Sequence, residues 1–357
     1  MKIFAKSSKS MFFVFCGLVI LAIMVAGEAR QAEGGTGLLS GLKELFIGTD
    51  ETNGAVFEQD FSQSMSAKAE THLVISHSHG NIVIKGWDKD EMKLEGKKIV
   101  SARDEETAQI YAEQMKVEMK SKDGKIVVKT IRPKREKAWE IRKMAINYKL
   151  YAPKSLNVVL ESMHGNVHTE SFAGDFKLKG LHGNFHMAQI GGDISIEHEH
   201  GNIEVLQIGG DASVRKEHGN AKIDSVGGGL EMKHEHGNVN LAKIGEGANL
   251  VKRHGDLSVA EVVGMLKLDH EHGNLSLRLL EGDVEVEKQH GNVDVESVNG
   301  NLSIHSDHTR LRIVDIDGDV RLRGSHGDVY IEDVSGVADI QRSHSKVHSN
   351  SVEGILQ

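Results

Sequence analysis

HEHGNIEVLQIGGDASVRKE (residues 198–217) contains one full period of the pattern that decides the fold. HEHGN returns at 234–238 and at 270–274, and a histidine recurs every 18 residues at His164, His182, His200, His218, His236, His254, His272, His290, His308, His326 and His344. No insertion or deletion interrupts the run, and an internal period of this kind outranks any local signal. Count that histidine as position 1. Position 2 is then Gly except at Thr309 and Ser345, and position 3 is Asn or Asp except at Arg310 and Lys346. Position 11 is Gly in every period but the one that carries Glu246.

Positions 4, 9 and 13 are apolar throughout, and positions 6 and 15 are apolar apart from Thr169 and Ser349. Apolar-x-apolar spacing marks a strand with one buried face. It occurs twice per period, at 4/6 and 13/15, so each period is two strand-turn halves of nine residues. Neither half can cover its own apolar face. Stacking at the strand spacing of roughly 4.8 Å covers it and builds one continuous core. Each buried aliphatic side chain contributes roughly 1.5–3 kcal/mol, and a one-residue slip would turn the whole apolar set outward. That explains the rigid spacing. The fold expected is all-β: a parallel β-solenoid of 18-residue coils with two short strands per coil, about eleven coils over 161–357. The sub-period of nine favours a flattened two-sheet roll over a hexapeptide helix, with right-handed winding.

Ahead of the array, a β-rich capping region with one helix is expected over 60–160. His79-Gly80-Asn81-Ile82-Val83-Ile84-Lys85-Gly86-Trp87 repeats the turn-strand unit 85 residues before His164, outside the 18-residue phase. Asp104 to Met115 has helix character, with acids in the first turn favouring the helix dipole. Lys116 to Ile131 reads as a hairpin around Asp123-Gly124, and Ile146 to Leu150 as a strand. Gly80 to Trp87, the helix, the Tyr148-to-Pro153 segment and the repeated Gly-Asn/Asp-apolar-x-apolar units together resemble the bacterial putative-adhesin family of short β-strand repeats. The resemblance covers nearly everything after residue 60. It implies an exported cell-envelope or surface β-solenoid with no established enzymatic activity.

The N-terminus reads as an export signal over 1–29: Lys2, Lys6 and Lys9, then an apolar run from Met11 to Ala26, then small residues at Gly27 and Ala29. An uncleaved anchor is the alternative, and would be the only membrane contact. A flexible lead is expected over 30–59. The single cysteine, Cys16, lies inside the signal, so the mature chain would have neither disulfides nor a cysteine nucleophile. Aromatics make up 4% of residues against 39 glycines, and the formal charge is −9. From His164 onward 18 Lys+Arg face 31 Asp+Glu, which argues against nucleic acid, whose binding needs phosphate neutralisation. An extracytoplasmic location is expected.

Two functions compete. The first is an adhesin-like interaction scaffold that binds an envelope glycan or protein. The second is transition-metal binding, for which imidazole suits Zn, Ni and Cu; the candidate ligands are His198, His200, His218, His234, His236, His254, His270, His272 and His290, with Glu199, Glu217, Glu235 and Glu271 beside them. No cofactor is firmly implied. Against metal binding stands a structural role at a tight turn, propagated by repeat copying. In three coils position 17 is also His, and in the coils that follow it is Lys (Lys216, Lys252, Lys288). Stacked imidazoliums near 5 Å repel by roughly 3 kcal/mol at an effective dielectric of about 20, so stability should fall with pH. Gly-Gly-Asp at 191–193 and 209–211 only partly matches calcium-binding rolls. Arg132 to Lys143, with Trp139, reads as a solvated basic loop, with anionic lipid or polysaccharide as the alternative. A carbohydrate-active enzyme is disfavoured because no coil carries an insertion. The last coil leaves a pairing edge that a partner or a second copy of the chain could cover.

Overall fold

The second half of one coil and the first half of the next set the pattern. β8 (Asn157–His164) and β9 (Val167–Phe172) meet at the His164-Gly165-Asn166 turn, and later coils lie over them in parallel. Phe176–His182 pairs with β8 and Phe185–Ile190 with β9; Ile194–His200 and Ile203–Ile208 follow. Each step is offset by 18 residues, as in Ile194 opposite Ala212 and Ile203 opposite Ala221. Like therefore sits over like: His200 faces His218, and His218 faces His236. The expected parallel β-solenoid is the fold.

The computed structural model describes residues 54–68, 70–134 and 139–356. The signal expected over 1–29 lies outside them. Of the lead expected over 30–59, the described part enters β1 (Ala55–Ser66).

β2 (His72–His79) pairs in parallel with β8, and β3 (Ile82–Trp87) pairs with β9. The early His-Gly-Asn copy, outside the 18-residue phase in the chain, is therefore in phase in space: His79 faces His164 and Ile82 faces Val167. Between these touching coils the chain inserts β4 (Glu91–Ala102), α1 (Glu105–Gln114), β5 (Lys116–Lys122), β6 (Lys125–Ile131) and β7 (Ile141–Pro153). β6 and β7 run parallel to β2 and β3 on the far side, as one more coil. β4 then pairs antiparallel with β7, and β1 with β4, while α1 packs on β1 and β4. Asp104 caps α1 by accepting from the Thr107 amide at 2.8 Å. β5 and β6 form the expected hairpin, with Asp123 and Gly124 at φ 53° and 72°.

Positions 4, 6, 9, 13 and 15 all point inward. Ile203, Val205, Ile208, Ala212 and Val214 are 1–3% exposed, and one apolar cluster runs from Ala67 to Ile340. The other corner of each coil holds a feature that apolar periodicity does not reveal. Position 8 is left-handed in every coil, from Ser171 (φ 67°) through Gln189, Gln207, Ser225, Lys243, Glu261 and Leu279 to Ser351 (φ 51°). None of these residues is glycine. A left-handed residue there lets the strand turn toward the Gly-rich corner within its own coil. Among the described residues no helix is long and apolar enough to cross a membrane.

Candidate functional site

The His-Gly-Asn corner is built from its glycine. Gly201 has φ 122°, and a Cβ there would lie 2.0 Å from the carbonyl oxygen of Gly183 in the coil before. Gly237 is the same against Gly219, at φ 125° and 2.3 Å. Both the backbone conformation and the close approach require glycine. Where position 2 is Thr309 or Ser345, the left-handed residue is the preceding histidine, His308 (φ 53°) or His344 (φ 54°).

The asparagines lock the coils together. Asn81 Oδ1 accepts from the Asn166 amide at 2.9 Å, Asn166 from Asn184 at 2.8 Å, and Asn184 from Asn202 at 2.9 Å. The chain of bonds continues through Asn220, Asn238 and Asp256 to Asn274 and Asn292. A matching Asx ladder serves the opposite corner, where Asp175 Oδ1 accepts from Asp193 and Asp193 from Asp211.

The position 1 histidines stack along the outside of the corner from His79 to His344, with ring centroids 4.5–5.4 Å apart. His236, His254, His272 and His290 lie within 8° of parallel. His200 and His218 are tilted by 51°, and His218 and His236 by 46°. Zn–N bonds of about 2.0–2.1 Å span at most roughly 4.2 Å across one ion, less than the 4.8–5.0 Å between parallel rings. Parallel neighbours must rotate before they can share an ion. Among the described residues no group of three or more His, Cys, Asp or Glu side chains is placed to hold a metal. The His164 pKa is lowered, first by burial and then by the His182 charge.

His198, His234 and His270 do not join this stack. They are 0–2% exposed, inside the solenoid. Position 17 continues the inward alternation of positions 13 and 15, and that period was the sequence signal for burial. The nine metal candidates therefore divide into six on the outer stack and three in the interior. In register with the interior three lie Lys216, Lys252 and Lys288, also 0–2% exposed, giving a buried column of His, Lys, His, Lys, His, Lys.

Backbone carbonyls turned inward by the corner hold the column. Lys216 Nζ donates to the Gly201 and His218 carbonyls, the latter at 2.6 Å, and to His198 Nδ1 at 3.1 Å. His234 Nε2 donates to the Gly219 carbonyl at 2.8 Å, and His270 Nε2 to those of Gly255 at 2.9 Å and His272 at 3.1 Å. Lys252 donates to the His254 carbonyl, and Lys288 to the His290 carbonyl and, at 3.1 Å, to that of Glu271. None of the three lysines forms an ion pair among the described residues. Burial pushes the imidazoles of His198 down to about 3 and of His234 and His270 to about 4, and the three ammoniums down to about 8. Alternation puts a neutral ring between cations, so successive cations lie two rungs apart and repel less. Further along, the column narrows to Ser306 and Gly324, and Arg342 reaches back to fill it, donating to Ser306 Oγ at 2.6 Å.

Two smaller groups lie near the start of the rod. His168 and His186 stack on the sheet face at 4.6 Å, with His186 Nδ1 3.0 Å from Glu204. In the basic loop, Trp139 is 70% exposed with the Arg103 guanidinium 6.0 Å from its ring centre; 135–138 lie outside the described residues.

No family model matches the sequence, and no curated protein matches it. Several solved structures are similar. A putative cell adhesion protein from Clostridium sporogenes is 10% identical, covering 63% of this chain and 100% of that one, with a TM-score of 0.26. A putative adhesin from Bacteroides fragilis is 12% identical over 83% of this chain and 96% of that one, at 0.24. Another, from Parabacteroides merdae, is 12% identical over 85% and 98%, at 0.26. These are the proteins this chain is similar to. Likeness at this level carries no function across, and the β-solenoid assignment rests on the strand register itself.

Proposed function

We propose that the chain is a non-enzymatic, adhesin-like interaction scaffold of the cell envelope or surface. The observation that supports this reading is the registered repetition of one corner: the same imidazole and glycine, followed by Asn or Asp, return at each rung from His79 to His290, and the imidazoles continue to His344. Such a rod offers many weak, equivalent contacts in a row, and their sum binds an extended partner by raising its effective concentration. The extracytoplasmic location rests on the basic and apolar pattern of residues 1–29. Transition-metal binding is the alternative, favoured only where the tilted rings of His200, His218 and His236 break the parallel stack.

The test is adherence of the purified full chain to isolated envelope fractions, compared with a variant lacking residues 236–271. That deletion removes two coils and keeps both register and His/Lys alternation. A graded loss of binding is expected, and undiminished binding would place the contact elsewhere. Titration with Zn²⁺ and Ni²⁺ tests the alternative: sub-micromolar binding abolished by His200→Asn, His218→Asn and His236→Asn together would establish it.

A further inference from the structure

Outside the Asn ladder a groove of about 710 Å³ runs along the rod, bounded by Asn202 and Asp294. Ladder residues line one side, and position 5 side chains, which face outward from the sheet, line the other. The position 5 residues at its two ends are charged and paired: Lys222 with Glu204 at 2.9 Å, and Arg312 with Asp294 at 2.8 Å. Between them stand Asn240, Ser258 and Ser276, all short and uncharged. The next outward-facing residues beside Asn240 and Ser258, Ala242 and Ala260, are small as well, whereas Arg278, beside Ser276, is engaged by Asp294 at 3.9 Å and Glu296 at 3.6 Å. In a chain whose residues are 27% charged, three successive rungs of this facet carry short, uncharged polar side chains at position 5.

We propose that this groove binds a linear, neutral polysaccharide lying along the rod axis; the proposal deepens the scaffold reading and rests on it. The ladder bonds occupy the Oδ1 atoms of Asn202, Asn220 and Asn238 and leave their Nδ2 amides as donors, repeated at each rung. Ser258, Ser276 and Asn240 add groups that donate and accept, as sugar hydroxyls do. An extended pyranose residue is close to one rung of roughly 4.8 Å in length, whereas a peptide strand rises only about 3.3 Å per residue and falls out of step. The alanine methyls suit the apolar face of a sugar ring. The one carboxylate on the ladder side of this stretch, Asp256, accepts from the Asn274 backbone amide at 2.9 Å and side-chain amide at 3.2 Å, and its charge disfavours an anionic polymer.

Titration calorimetry of the full chain with cellohexaose and chitohexaose, and with polygalacturonate as the acidic control, tests the inference. At least one hexasaccharide should bind, its disaccharide should bind at least about tenfold more weakly, and polygalacturonate should not bind. Ser258→Arg should weaken binding at least about tenfold. Ser213→Arg, exposed on the opposite sheet, should leave it unchanged and shows that an added arginine is tolerated. Equal effects of the two variants, equal binding of the acidic polymer, or no hexasaccharide binding at millimolar concentration would overturn the groove assignment. If adherence to envelope fractions persists in any of those cases, the scaffold reading survives; if adherence is absent too, both fall.

Discussion

Thr169 breaks the apolar rule at position 6 and shows what that rule enforces. It is 1% exposed, between Ile84 and Met187, and its hydroxyl has no partner among the described residues. A buried hydroxyl without a hydrogen bond costs on the order of 1–3 kcal/mol. Thr169→Val keeps the shape and removes that cost, so the midpoint of urea unfolding should rise by an amount worth about 1–2 kcal/mol. Leu279 is the converse case, an apolar residue where the backbone wants another type. It is 57% exposed with φ 54°, a conformation that costs an L-residue roughly 1–2 kcal/mol and that asparagine adopts more readily. Leu279→Asn should raise stability by about 1 kcal/mol, read in the same experiment.

At the scale of the turn and its column, the corner explains why HEHGN recurs as a unit. Glycine permits the close approach, asparagine ties coil to coil, the outer histidine stacks, and the buried His or Lys two residues earlier bonds the carbonyls that the turn directs inward. The column also fixes how stability depends on pH. The folded pKa values of His198, His234 and His270 lie at about 3 to 4, below the unfolded value of about 6.5. Between these values the unfolded chain binds more protons, so stability is full above about 6.5 and is lost as pH falls toward 4. The effect is on the order of 3 kcal/mol per imidazole. Lys216, Lys252 and Lys288 act in a second window with the same sign. Their folded values of about 8 lie below the usual lysine range, so stability climbs again as pH rises from about 8 toward 10.4. Melting temperature should therefore be lower at about pH 5 than at pH 7.5 and higher at pH 9.5. Buried His77, pushed down to about 4 by burial, acts in the same window, so replacing His77, His198, His234 and His270 together by Gln should flatten the acid limb.

For the whole molecule, register governs everything, and deletions test it. Removing residues 236–271 takes out two coils and leaves His234 beside Lys288 in the column, so the shortened rod should melt cooperatively by circular dichroism. Removing one residue fewer shifts every later coil by one and turns its apolar set outward, and should abolish cooperative folding beyond the junction. The fold was legible because the solenoid makes sequence period and spatial period identical: Ile203, Val205, Ile208, Ala212 and Val214 fall at their positions by counting alone. The helix from Asp104 to Met115 and the hairpin at Asp123-Gly124 were legible because their signals are local. The position 8 left-handed residues were not, since Gln207, Lys243 and Leu279 share no composition that marks a turn.

By itself, the sequence determined the coil length, the two strands per coil, the inward positions and the alignment of His200 with His218 and His236, because each follows from a period with no gaps. Only the tertiary structure decided that His79 belongs to the same stack, since chain distance says nothing once β4 through β7 are inserted between coils that touch. It also decided that the histidines two residues after His198, His234 and His270 lie outside, where the same alternation would carry them inward. The strand's alternation ends at the corner, and the direction of the next side chain is set there by the turn's backbone and by packing against the adjacent rung.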